Sequence, residues 1–421
     1  MTSFRFLHCA DLHLDSPLRG LETDPDAPSE KIRNATRGAL EKLVDHAVSE
    51  RVDFVVAAGD LYDGDWQDWR TGQFLVRQVR RLATEGIPFI AIRGNHDAQN
   101  VMTKHLQLPG EQTRLLKTQQ PETFRLKNLP VSIHGQSFAD RAVTENIALA
   151  YPLPDPHRFN IGLLHTAIEG RDGHDRYAPC SLEQLRDHGY EYWALGHVHK
   201  QDTLLRDPWI VFPGNLQGRH ANETGPKGAM LVTVTDMRVS DAAFVALDVM
   251  RWVHVRIELA ADADEETALA EIRDALGEEL AQAGGRLLAV RVIVSGVTAA
   301  HDFFSRDSGA VREKIRSEAL AVAGPDMIWI ETIQVATRPL PHSVVSDQAG
   351  AIGQLIRALD AVGTEDLREG LRAYTTAMLD RASLLRQSLD ATHPIVKAGE
   401  GEPPEDLIRR ARDLLLGFLA E

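Results

Sequence analysis

The chain has 421 residues, too many for one ordinary domain, and its 43% apolar and 25% charged residues are the composition of folded globular modules. A formal net charge of -15 excludes a protein that coats nucleic acid by bulk electrostatics, although carboxylates gathered to hold cations count as negative until those cations are included. No stretch approaches the ~20 apolar residues of a membrane span, and two cysteines outside any CxxC pair, Cys9 and Cys180, exclude a disulfide framework or a thiolate metal site.

From residue 4 to 249, short apolar runs alternate with amphipathic stretches. Residues 4–9, 54–58, 89–92, 161–164 and 192–195 read as buried strands, and 32–48 reads as a helix between the first two. This pattern predicts an α/β layered sheet, in which ligands gather just beyond the carboxyl ends of the strands. A second module starts near Trp252. Val253, Val255, Ile257 and Leu259 alternate as in a strand, and Leu269, Ile272, Leu276 and Leu280 follow at helical spacing. Residues 287–294 and 328–335 read as further strands around a helix carrying Val311 and Ile315, which predicts a small α+β domain over 250–338. Pro339 and Pro341 punctuate a linker. The remainder of 339–421 reads as helical, with Leu367, Leu371, Tyr374, Met378, Leu385 and Leu389, then Leu407, Ala411, Leu414 and Phe418, at 3,4 spacing. Such a tail either packs on its own protein or docks a partner.

Five segments concentrate metal-ligand residue types: Asp11-Leu12-His13, Gly59-Asp60-Leu61-Tyr62-Asp63, Gly94-Asn95-His96-Asp97, His165, and Gly196-His197-Val198-His199. An Asp-x-His step on extended chain puts both donors on one side, and two imidazoles two residues apart can address one locus. Each segment alone has a bland explanation, since Gly-Asp and Gly-Asn are common turn pairs and a single buried histidine is usually a core residue. Together, five segments that each follow a predicted buried strand and each present Asp, Asn or His point to a metal centre.

In this order the segments resemble the signature of the calcineurin-like metallophosphoesterases, over about the first 235 residues. The resemblance implies a four-layer β-sandwich flanked by helices and two divalent ions, manganese by family habit. Asp11, His13, Asp60 and His199 would hold one ion; Asp60, Asn95, His165 and His197 would hold the other, with Asp60 bridging. Four imidazoles suit Mn, Fe or Zn better than Mg. Such ions activate water and screen the phosphate oxygens. His96 would protonate the leaving alkoxide with Asp97 orienting its ring, and Asp63 would support the site or position the substrate. Arg219 and His220 would contact phosphate or lie in a solvated loop.

The block from Asp11 to Leu18, Pro213-Gly214-Asn215 and the later Lys227-Gly228 are similar to the branch of SbcD-like DNA repair exonucleases, whose plan also places a small α+β capping domain and a helical tail after the catalytic domain. Asp15 stands where that branch usually has Gly, and Asn215 where many members have Ser. The expectation is therefore a two-metal DNA exo- or endonuclease subunit, with a phosphodiesterase acting on a small phosphodiester, nucleotide or phosphoprotein as the alternative. A complete donor set argues against a catalytically dead scaffold. No Gly-x-x-x-x-Gly-Lys-Ser/Thr occurs, so the resemblance implies a separate SbcC-like coiled-coil ATPase at the tail, and a homodimer through the catalytic domain. The first eight residues show no basic region leading into a long apolar run, which predicts a cytoplasmic location and no membrane partner.

Overall fold

The computed structural model describes residues 2–16, 27–63, 69–98, 108–168, 177–324 and 326–340, with 369 and 372–376 of the tail. The predicted tail helices therefore lie outside the described residues, apart from a helical turn around Tyr374.

Fifteen strands occur among the described residues: β1 (Ser3–Cys9), β2 (Phe54–Ala58), β3 (Phe89–Ile92), β4 (Arg114–Leu115), β5 (Glu122–Arg125), β6 (Val131–Gly135), β7 (Phe159–His165), β8 (Tyr192–Gly196), β9 (Asp202–Arg206), β10 (Trp209–Phe212), β11 (Gly228–Thr235), β12 (Arg238–Ala246), β13 (Met250–Glu258), β14 (Leu287–Val297) and β15 (Ile328–Arg338). One six-stranded sheet has the order β12-β11-β1-β2-β3-β4, and a second has β5-β6-β7-β8-β10-β9. The inner strands of each run parallel: β1, β2 and β3 in the first, and β6, β7 and β8 in the second. Their carboxyl ends consequently share one rim.

The two sheets face one another across an apolar layer. Phe4, Phe6 and Phe54 from the first meet Phe159, Ile161 and Tyr192 from the second, with the rings of Phe6 and Phe54 stacked at 4.9 Å. Burying side chains of this size stabilises by roughly 1.5–3 kcal/mol each, and Phe54→Ala would cost roughly 3–5 kcal/mol. The outer face of the first sheet is covered by α2 (Ala35–Ser49), which follows the short α1 (Ser29–Arg33), and by α3 (Trp69–Thr84). Leu40, Leu43 and Val44 of α2 and Phe74, Leu75 and Val79 of α3 pack there against Leu7, Val55 and Phe89. On the outer face of the second sheet, Trp193 and Leu195 pack with Leu185 of α4 (Leu182–Asp187). Helices, sheet, sheet and helix make the four layers expected, and the fold is α/β. The helix expected over 32–48 is broken at Asn34 into α1 and α2.

Residues 1–257, 269–294 and 309–334 form one compact unit; 258–268, 295–308 and the described residues from 335 onward belong to a second. β13, β14 and β15 make a three-stranded sheet. Trp252, Leu287 and Trp329 pack with Ile32 and Ala221 inside the first unit.

Candidate metal centre

Every expected donor stands at the common rim. Asp11 and His13 follow β1, Asp60 follows β2, Asn95 follows β3, His165 ends β7, and His197 and His199 follow β8. Beyond the strands, the β1 and β2 chains stay laced together: the amides of Asp11, His13 and Leu14 donate to the carbonyls of Gly59, Asp60 and Leu61 at 3.0–3.1 Å. This lacing runs through left-handed backbone at Asp11 (φ 51°), His13 (42°), Asp60 (48°) and Gly59 (95°). Such conformations cost of order 1–3 kcal/mol for a non-glycine residue and persist where the surroundings enforce them. Gly59 also has no room for a side chain, since a Cβ there would lie 2.5 Å from His165 Nδ1.

Asp97 does not take the part expected of it. Its buried carboxylate accepts from the amides of Leu61 (2.9 Å), Tyr62 (2.8 Å) and Gly94 (3.2 Å), so it fixes the two loops that present Asp60 and Asn95. Burial and the neighbouring Asp60 charge raise its carboxyl to about 7, with the three amides opposing. The carboxylate set against His96 Nδ1 is that of Asp63, at 2.7 Å. Asp63 lies 47 residues from Ser16, whose hydroxyl donates to it, and also meets Arg219 Nη1 at 3.1 Å. Burial works to raise the Asp63 carboxyl, but the nearby His13 ring, with Nδ1 at 3.7 Å, and hydrogen bonds from His96 and Ser16 outweigh it and hold the group below the usual carboxylate range. His96 is correspondingly raised, chiefly by Asp63 and against the effect of burial. Its side chain is 37% exposed, so it faces the approach to the site.

The buried donors confront one another in a way that fits cations. His165 Nδ1 lies 2.9 Å from the Ala58 carbonyl, which can only accept; the proton therefore sits on Nδ1 and the Nε2 lone pair faces Asn95 Oδ1 at 2.9 Å and Asp60 Oδ2 at 3.5 Å. His199 Nδ1 lies 2.7 Å from Glu223 Oε1, which leaves its Nε2 lone pair facing His13 Nε2 at 3.1 Å. At His165, a lone pair turned towards acceptor oxygens in a dry site is unfavourable until a positive charge stands between them. Burial pushes both His13 and His165 down to about 3, which keeps the imidazoles neutral and able to ligate. Burial and the nearby Asp60 charge hold the Asp11 carboxyl well above its ordinary value, a cost that divalent cations reverse. Donor atoms of Asp11, His13 and His199, of His13, Asp60 and His96, and of Asp11, Asp60 and His165 each gather within 4.8 Å. His197 joins through its amide, which donates to both Asp11 oxygens at 3.0–3.1 Å, and its ring centroid is 5.3 Å from that of His165. The residues thus fit divalent metal ions.

Arg219 is drawn into the cluster, with its side chain only 14% exposed, whereas His220 stands outward at 57% exposed and 3.3 Å from Glu223 Oε1. Two participants escaped the sequence reading. Glu223 and Ser16 sit in loops whose Pro17, Asn222, Gly225 and Pro226 signal turns and nothing more, and they become part of the site only through the fold. Asp15, in place of the usual glycine, adopts φ 57° and binds Arg37 and Thr71, which ties the His13 loop to α2 and α3.

Comparison with known proteins agrees with this geometry. The profile of calcineurin-like phosphoesterases matches residues 4–201, a span that holds all seven expected metal donors, and the profile of the middle domain of metallophosphoesterase YhaO matches 252–338. The chain is 35% identical over 300 residues to a protein of Bacillus subtilis (strain 168) named "Uncharacterized metallophosphoesterase YhaO", covering 70% of this chain and 72% of that one. It is 26% identical over 209 residues to the DNA double-strand break repair protein Mre11 of Sulfurisphaera tokodaii, covering 49% of this chain and 52% of that protein. With this likeness and a donor set arranged for divalent cations, the chain belongs to the calcineurin-like metallophosphoesterase family and is a metal-dependent phosphoester hydrolase.

Proposed function

We propose that the protein is a two-metal phosphodiesterase acting on DNA, a nuclease subunit of the SbcD-like kind. The reading rests on one observation above the rest: the lone pairs of His165 and His199 both turned into the buried carboxylate cluster, beside a protonatable His96 that is held by Asp63. Asp11, His13, Asp60 and His199 would hold one ion and Asp60, Asn95, His165 and His197 the other; the imidazole-rich set suits Mn, Fe or Zn better than Mg, and the resemblance selects manganese among them. Bound there, the ions supply Lewis-acid activation of water and of the phosphate ester. Asp97 keeps the loops of Asp60 and Asn95 in register through three amides. His96, with its Nδ1 occupied by Asp63, turns its Nε2–H towards the substrate and delivers a proton to the leaving oxygen. Arg219, fixed to Asp63, adds positive charge at the phosphate's approach.

A polymeric substrate is supported by the likeness to Mre11 and by the presence of a dedicated domain after the catalytic one. The test is manganese-dependent cleavage of end-labelled linear DNA beside bis-p-nitrophenyl phosphate, with Asp60→Ala as the inactive control. Cleavage of the small ester alone would transfer the assignment to a small phosphodiester, nucleotide or phosphoprotein. A homodimer and an SbcC-like ATPase partner follow from the resemblance. Retention of the ATPase by a chain truncated near Pro341 would refute docking through the tail. No helix among the described residues is long and apolar enough to cross a membrane.

A further inference from the structure

Glu223 lies beyond the stretch matched by the phosphoesterase profile, yet its carboxylate is among the most fully engaged groups of the site. Its side chain is 8% exposed. Oε2 accepts from Asn215 Nδ2 at 2.8 Å and from the Arg219 amide at 2.7 Å, and Oε1 accepts from His199 Nδ1 at 2.7 Å. Arg219 Nη2 adds positive charge at 3.6 Å from Oε1, and His220 Nε2 lies 3.3 Å from the same oxygen. The loop carrying Glu223 is itself anchored. Gln217 donates to the Met250 carbonyl at 2.8 Å and accepts from the Val249 amide at 2.9 Å, and Trp252 Nε1 donates to the Gly218 carbonyl at 3.1 Å. The neighbouring Lys227 ammonium donates to the His199 carbonyl at 2.8 Å.

The two bonds to Oε2 suffice to cap the loop. The bond to His199 is not needed for that purpose, and it has a chemical consequence. An ionised carboxylate can only accept, so it forces the His199 proton onto Nδ1 and leaves the Nε2 lone pair turned to the cluster of Asp11 and His13. We propose that Glu223 is a positioning residue for the metal centre, which sets the tautomer and ring orientation of His199 and so raises the affinity of the ion that His199 helps to hold. This inference rests on the two-metal reading given above. Outer partners of this type typically change metal affinity 10–100-fold.

Glu223→Gln separates this role from a structural one. The amide's single oxygen is claimed by the Asn215 and Arg219 donors, so its NH2 group turns to His199, makes Nδ1 an acceptor and puts the proton on Nε2, against the ion. Binding of Mn2+ to the full chain, read by competition with a fluorescent chelator, should weaken roughly 10–100-fold in Glu223→Gln while the unfolding midpoint of the metal-free protein stays at the wild-type value. In a His199→Ala background the same change should cause no further loss, because the interaction is already gone. Wild-type affinity in Glu223→Gln, or losses that multiply in the double variant, would overturn the proposal. Should Glu223→Gln fail to fold, 15N chemical shifts of the metal-free wild type decide: Nδ1–H on His199 is expected, and Nε2–H refutes it. A wild-type chain that binds no divalent ion would sink the metal reading and this inference with it, whereas intact wild-type binding with an unaffected variant sinks only the role of Glu223.

Discussion

Replacing His96 by asparagine removes a proton donor without touching the buried donors around Asp60, because the ring stands partly outside the cluster and is held there by Asp63. A positioned general acid contributes about 10²–10⁴ in rate. The 37% exposure of the His96 side chain lets water reach the same place and deliver protons in its stead, so the loss on DNA should fall in the lower part of that range, roughly 10²–10³ in kcat. The substrate then discriminates. A deoxyribose alkoxide needs its proton as it leaves, while p-nitrophenolate is stable enough to leave without one. His96→Asn should therefore depress DNA cleavage at least tenfold more than hydrolysis of bis-p-nitrophenyl phosphate, measured at saturating manganese with single-turnover kinetics on both substrates. Equal losses on the two substrates would refute proton donation and reassign His96 to holding the phosphate. No loss on either would remove it from the reaction.

Asp63→Asn withdraws the main cause that raises His96, so the protonated ring is lost at lower pH and the alkaline fall of the rate profile should move to lower pH; an unmoved limb would show that Asp63 does not set the acid. Gly59→Ala would drive a methyl group into His165 and force left-handed backbone on alanine, so metal binding should disappear and the unfolding midpoint should drop. A soluble variant with normal metal content would contradict the described packing. Removing metal by chelation and dialysis should lower the midpoint by about 3 °C for each ion held, relative to protein at a hundred times the dissociation constant, restored by Mn2+; an unchanged midpoint argues against a site that belongs to the folded state. His8, His13 and His165 are held neutral by burial at about 3, so between pH 6.5 and that value the unfolded chain binds more protons at each, and their contribution to stability falls as pH falls. Asp11 and Asp97, raised by burial, act oppositely but are fewer; the metal-free midpoint should drop from pH 6.5 to 4.5, and a rise would invert the assignment.

Much of this architecture was legible because the inner strands are buried on both faces and so read as unbroken apolar runs: residues 54–58 and 89–92 coincide with β2 and β3, and 192–195 misses β8 by one residue. The half-exposed strands lack that signal. β5 (Glu122–Arg125) and β9 (Asp202–Arg206) are short, polar and without a clean alternation, and each is an edge strand paired, among the described residues, only with the strand that follows it in the chain. The donors could be found from spacing because each follows such an apolar run directly. Their supporting partners could not. Sequence adjacency suggested Asp97 for His96, but the turn at 94–97 carries that carboxylate back to the amides of Leu61 and Tyr62, and the partner comes instead from Asp63, 33 residues away in the chain. Glu223 reaches His199 across 24 residues of loop and strand, a distance at which pattern reading has no purchase.

The division of donors between the two sheets has a consequence for biosynthesis. The first sheet brings Asp11, His13, Asp60 and Asn95, and the second brings His165, His197 and His199. If these seven hold the ions as proposed, a nascent chain with its first hundred residues owns four of them and lacks His165 and His199, the partners of Asn95 and His13, so it would hold an ion only loosely. Tight loading would then await translation past residue 199 and docking of the sheets, which would shield the half-made enzyme from trapping whichever cation it meets first.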